Sequence, residues 1–380
     1  MALTLHGTVS DNTVALDRKT ATPLIINGDM AIAQRGTSTT GLFYNKDNNF
    51  PSCDRWKFQH FGSIAYTAQF TGSQDTDVPT GQGFASSLKL ACTTADATLE
   101  ADTAVLWSYQ FEGQTLQHLA YGTSSAKTMT FSFWVKSNIT GVFNVELYQY
   151  DVNDAFSDEY TINTADTWEK KIITIPANTS NIITNDNTVG MSVRFNLALG
   201  SNYNGGTLPT GWQTRVLADT SPNMTNNIGG STSNYINITG VQLEVGTFDV
   251  NSIPPFQFED VGTSLARCLR YYQKIGNGTV AGQRFIATGK VRSSTQCDFG
   301  LVLPVEMRSS PTISVSDGTG FEVFHGGSAI ANTTSLSYSN SSPQTVSGLF
   351  NVSSGLTTGN AAFIRTDSTA GRELQMDSEL

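Results

Sequence analysis

Apolar side chains recur at every second position along much of this 380-residue chain, and that period decides most of what the chain can become. Met129, Phe131, Phe133 and Val135 line one side of residues 128–136, with Thr130 and Ser132 on the other. Val105, Trp107, Tyr109 and Phe111 repeat the device, as do Phe143, Val145 and Leu147, and then Met191, Val193, Phe195 and Leu197. A period of two marks antiparallel strands with one buried face. Two such sheets bury those faces against each other as a sandwich. Further strands are expected at 24–26, 88–90, 168–175 and 235–244. In the last of these the apolar set shifts from Ile236 and Ile238 to Val241 and Leu243, so Gly240 marks a β-bulge.

One segment breaks the period. Leu265, Cys268, Leu269 and Tyr272 are spaced i, i+3, i+4, i+7 behind a capping Thr263 or Ser264, and Gly276 follows. That predicts a short helix over about 260–274. Beyond it, Cys297, Phe299, Leu301 and Leu303 alternate again, and shorter apolar pairs follow to Ile364. The expected organisation is an arm at 1–24, a β-domain at 25–257, a linker helix at 258–275 and a second, smaller β-sandwich at 276–380.

Composition narrows the function. Charged residues make up 14% of the chain, against roughly 25% in an average globular protein. Ser, Thr, Asn and Gly replace them, which suits turns and outer strand faces. The net charge is −10 and no basic cluster tracks a phosphate backbone, so nucleic acid is not an expected partner. The N-terminal ten residues lack the pattern of a signal peptide, and no apolar run of about 18 residues predicts a membrane span. Cys53, Cys92, Cys268 and Cys297 lack Cys-x-x-Cys spacing and read as buried reduced thiols. His6, His60, His118 and His325 are scattered singly, without zinc-ligand spacing.

No nucleophile elbow, His-Glu-x-x-His or phosphate-binding loop is present, and the expectation is a protein that is not an enzyme. A carboxylate pair for glycoside hydrolysis is the remaining catalytic option. Asp151, Asp154, Asp158 and Glu159 read instead as acids of solvated turns. Aromatic rings are the stronger candidates, because flat rings stack on sugar faces while amides and carboxylates bond the hydroxyls. Tyr148 and Tyr150 fall opposite Phe143, Val145 and Leu147, with Asp151 beside them. Trp134 falls opposite Phe131 and Phe133, and Trp212 lies in the long loop 200–233.

Five segments, in order, carry a resemblance. They are Leu24-Ile-Ile-Asn-Gly-Asp-Met-Ala-Ile-Ala-Gln-Arg-Gly36, Cys53-Asp-Arg-Trp56, Thr130-Phe-Ser-Phe-Trp-Val-Lys136, Thr239-Gly-Val-Gln-Leu-Glu-Val-Gly246 and Leu265-Ala-Arg-Cys-Leu-Arg-Tyr-Tyr272. Together they resemble a family of phage tail-fibre and other virion structural proteins, whose first domain is similar to jelly-roll carbohydrate-binding modules. Leu303-Pro-Val-Glu-Met-Arg-Ser-Ser-Pro-Thr312 looks like the start of the distal β-domain such proteins carry. The resemblance implies a jelly-roll first domain and a virion location. It also implies a homotrimer, attachment to other virion proteins through the arm, and contact with a host-surface glycan. Asp29 and Glu244 match the neighbourhood of a structural calcium in some of these modules. The short arm and missing shaft leave a second option, a decoration or adaptor protein on capsid or tail. A glycan depolymerase is a third.

Overall fold

The computed structural model describes residues 22–44, 50–327 and 329–380. The arm expected at 1–24 therefore lies almost wholly outside the described residues. The first domain contains β1 (Ser38–Leu42), β2 (Trp56–Phe61), β3 (Gln69–Asp75), β4 (Ser87–Thr94), β5 (Ala104–Glu112) and β6 (Met129–Ser137). It continues with β7 (Gly141–Gln149), β8 (Asp154–Ile162), β9 (Glu169–Ile175), β10 (Val189–Leu199), β11 (Gln213–Thr214) and β12 (Tyr235–Val245). These form two antiparallel six-stranded sheets, ordered β1-β3-β4-β12-β6-β9 and β11-β8-β7-β10-β5-β2. The alternating residues meet between them. Phe133 lies 4.9 Å from Phe195 and 5.1 Å from Tyr160, ring centre to ring centre. The first domain is thus the jelly-roll sandwich of an all-β protein. Gly240, at φ +60°, sits where β12 shifts register against β6, which is the expected bulge.

Several local expectations are corrected. Residues 24–26 form no strand; they are a buried turn segment whose Gly28 packs against the Val241 carbonyl at the bulge, too close for any Cβ. Asp154, Asp158 and Glu159 lie on β8 rather than in solvated turns. Asp154 is buried and accepts bonds from Asn178 and Asn181. Glu159 holds Ser221 and Asn223 of the long loop. All four cysteines are buried and unbridged.

The helix α1 spans only Val261–Leu269, capped by Asp260 rather than by Thr263 or Ser264, since the Asp260 side chain accepts from the Thr263 amide. Residues 272–274, expected to finish the helix, belong instead to strand β13 (Tyr272–Gly276). The reason is tertiary: β13 pairs with β21 (Glu373–Asp377), the last strand of the chain, which also pairs with β16 (Thr312–Val315). The other strands of this region are β14 (Phe285–Ser293), β15 (Gln296–Val302), β17 (Phe321–His325), β18 (Ala329–Ser341), β19 (Thr345–Val352) and β20 (Ala361–Thr366). Where a second sandwich was expected, these six close into a barrel, β14-β15-β19-β18-β17-β20, beside the three-stranded sheet. Closure leaves every barrel strand with two neighbours and no open edge.

Three of the segments that carried the resemblance, 24–36, 53–56 and 265–272, converge at the junction of the two domains. Asn27 bonds the Ile32 and Asp54 carbonyls, and Trp56 donates to the Asn27 carbonyl. Gln34 bonds Asp54 and, across the junction, the Tyr272 carbonyl at 3.0 Å. Arg35 lies 3.6 Å over the Tyr272 ring and Arg55 lies 3.5 Å over Tyr271. Buried Glu112 receives Arg270 through two nitrogens, at 2.7 and 2.8 Å, and the Tyr271 hydroxyl. The segment after β21 closes the joint, with Glu379 ion-paired to both Arg35 and Arg55.

Candidate functional site

The outer face of the second sheet is built from the polar members of the alternating strands. The register places Ser108 of β5, Arg194 of β10 and Glu146 of β7 in one row, and Gln110, Ser192 and Tyr148 in the next. Tyr148 and Tyr150 are half-buried, with ring centres 4.7 Å apart in an edge-on arrangement. The Arg194 guanidinium lies 4.4 Å from the Tyr148 ring centre, and that of Arg215 lies 5.5 Å from it. The Tyr150 hydroxyl accepts from Gln110 Nε2 at 3.0 Å and from Arg194 Nη2 at 3.2 Å. The Tyr148 hydroxyl donates to Asn153.

Glu146 lies beneath this group, fully desolvated, and pairs with Arg194 at 2.9 Å and Arg215 at 2.5 Å. Burial pushes its carboxyl up, but the two guanidinium groups outweigh that and hold it below the usual carboxylate range. Burial also works against ionisation of Tyr150, yet Arg194 draws its hydroxyl below the ordinary tyrosine value. Gln110 Oε1 and Arg194 Nε are buried without a hydrogen-bond partner.

The long loop covers one end of this face. Asn144, bonded to Asn196, donates to the Thr220 carbonyl at 2.7 Å. The five expected residues divide accordingly. Tyr148 and Tyr150 share the face. Asp151 sits in the β7–β8 turn and accepts from the Thr184 amide. Trp212 donates to the Pro176 carbonyl and packs edge-on against Tyr121, pinning the loop. Trp134 lies on the outer face of the other sheet, in register with Thr239 and Lys170. Arg194, Gln110 and Glu146 were not singled out, although each is the polar residue between two inward apolar ones.

The calcium candidates do not share a cavity. Glu244 lines one of about 330 Å³ with Leu24 and His118. Asp29 lines a separate one with Asn27 and Glu259, and burial raises its carboxyl above the usual range. Among the described residues no three His, Cys, Asp or Glu side chains gather to hold a metal.

No family model and no curated protein matches the sequence. Solved structures that overlay on part of the chain include a tailspike protein domain of bacteriophage CBA120, at 13% identity and TM-score 0.29, covering 59% of this chain and 21% of that one. A family 4 carbohydrate-binding module overlays at 14% identity and TM-score 0.29, covering 58% and 97%. The family 11 module of a Clostridium thermocellum cellulase overlays at 10% identity and TM-score 0.28, covering 56% and 96%.

Proposed function

We propose that this protein is a phage virion component of the receptor-binding kind, which holds a host-surface glycan on the outer face of its second sheet. The carrying observation is the Tyr148–Tyr150 pair, at the end of β7 and the start of its turn, set against the strand residues Arg194 and Gln110. The ordered motifs from Leu24 to Tyr272 supply the virion part of the reading. Binding is favoured over hydrolysis because Glu146, the carboxylate at the centre of the face, is held ionised by two arginines. A general acid needs the opposite shift.

A glycan array probed with the purified protein tests this. Tyr148→Ala/Tyr150→Ala should weaken the bound signal by about tenfold or more, the equivalent of about 1.4 kcal/mol. An array that stays blank, or binding indifferent to both tyrosines, sinks the reading.

A homotrimer belongs to the same proposal. The barrel wall exposes Phe285, Val302, Ile330 and Phe363, while Arg365 is neutralised by Glu322 at 2.7 Å. A neutral apolar wall is complementary to its own copy. Phe363→Asp should lower the mass seen by light scattering; a wild-type monomer overturns the trimer.

A further inference from the structure

Trp134 was left on the opposite side of the sandwich, and its surroundings form a second constellation. Trp134 and Lys136 are on β6, Tyr235 and Asn237 on the adjoining β12, and Trp168 immediately precedes β9 on the other side. All three rings are half-exposed. Asp77 holds two of the groups in place: its Oδ1 accepts from the Trp168 indole at 3.0 Å, and its Oδ2 pairs with Lys136 at 2.7 Å. Lys89 pairs with Asp75 at 2.9 Å and lies 5.2 Å over the Tyr235 ring. Beneath them Asn237 is fully buried, and its Oδ1 has no hydrogen-bond partner.

We propose that the outer face of the first sheet is a second saccharide platform, for an uncharged hexose chain. The register pairs Trp134 with Thr239 and Lys170, so Trp168 lies two residues and Tyr235 four residues further along the neighbouring strands, about 7 and 13 Å at the strand rise, and the rings form a staggered row suited to successive sugars of a chain. Their indole and phenol faces supply apolar area for sugar C–H faces. Lys89 and Lys136 each have their own carboxylate, and the Asp166 carboxylate that accepts from the Tyr235 hydroxyl offsets Lys170 beside Trp134, so the face offers hydrogen bonds without a net charge to satisfy. That excludes the acidic sugars a guanidinium-rich face would take. Gly240 keeps the platform open, because a Cβ there would meet both Phe84 and Trp134. The proposal uses no residue of the tyrosine face and stands apart from it.

Affinity electrophoresis in gels cast with a neutral β-glucan or a neutral galactan tests it. The wild-type protein should be retarded by at least one of them. Trp134→Ala/Trp168→Ala should weaken that retardation about tenfold or more, whereas Tyr148→Ala/Tyr150→Ala should leave it in place. A second measurement needs no variant. Trp56 and Trp107 are buried while Trp134, Trp168 and Trp212 are partly exposed, so N-bromosuccinimide should oxidise the last three first, and the retarding polymer should protect Trp134 and Trp168 but not Trp212 in peptide mass maps. No retardation in either gel, retardation that survives loss of both tryptophans, or oxidation unaffected by the polymer overturns the proposal.

Discussion

His60 points into the first domain with neither ring nitrogen hydrogen-bonded, edge-on to Tyr44 at 5.7 Å and Tyr66 at 5.4 Å. Burial lowers its pKa from 6.5 to about 4. The folded state therefore holds it neutral while the unfolded chain takes up a proton below pH 6.5. Its contribution is fully present above that value and is lost as pH falls toward 4. Denaturant midpoints of the wild type should fall across that window, and His60→Phe should flatten the slope. At this scale sequence parity was informative wherever a strand carried the residue. It set Tyr148 opposite Leu147 and could equally have singled out Arg194 between Val193 and Phe195. Trp212 had no such signal, because a loop residue has no period, and only the fold shows that its indole is tied to the Pro176 carbonyl.

Strand β12 shows an element whose interruption was legible. The apolar shift at Gly240 locates the bulge, and its φ of +60° is one that side-chain-bearing residues adopt at a cost. A Cβ there would lie 2.5 Å from Phe84 and 3.0 Å from Trp134. Gly240→Ala should destabilise by about 1–3 kcal/mol, read as a lower Tm. Strand β8 was illegible because Asp154, Asp158 and Glu159 resemble turn residues; their partners, Asn178 and Ser221, come from distant loops. The end of α1 was misplaced for a related reason. Tyr272 continues the helical spacing, but pairing with Asp377, more than a hundred residues later, outweighs one further turn of helix.

Across the whole molecule, the resemblance falls mainly on the joint, its segment 130–136 aside, which carries Trp134 and Lys136 of the first sheet's outer face. Its motifs meet where Gln34 reaches Tyr272 and Arg55 stacks on Tyr271, contacts spanning more than two hundred residues that no local pattern encodes. Glu379 is nearly inaccessible there, with 4% of its side chain exposed, and Arg55 has 1%. Removing one partner of such a pair strands the other charge, at a cost of about 3–5 kcal/mol. Glu379→Ala should therefore split calorimetric unfolding into two transitions where the wild type shows one; a single unshifted peak would count against this coupling. The same joint has a mechanical meaning. Tyr272, where the chain enters the distal domain, is paired with Asp377, two residues before the ionic latch. Tension drawing the barrel away from the sandwich thus loads the covalent chain at Tyr272 and the Glu379 ion pairs in parallel, because the chain enters and ends on the same side of the joint.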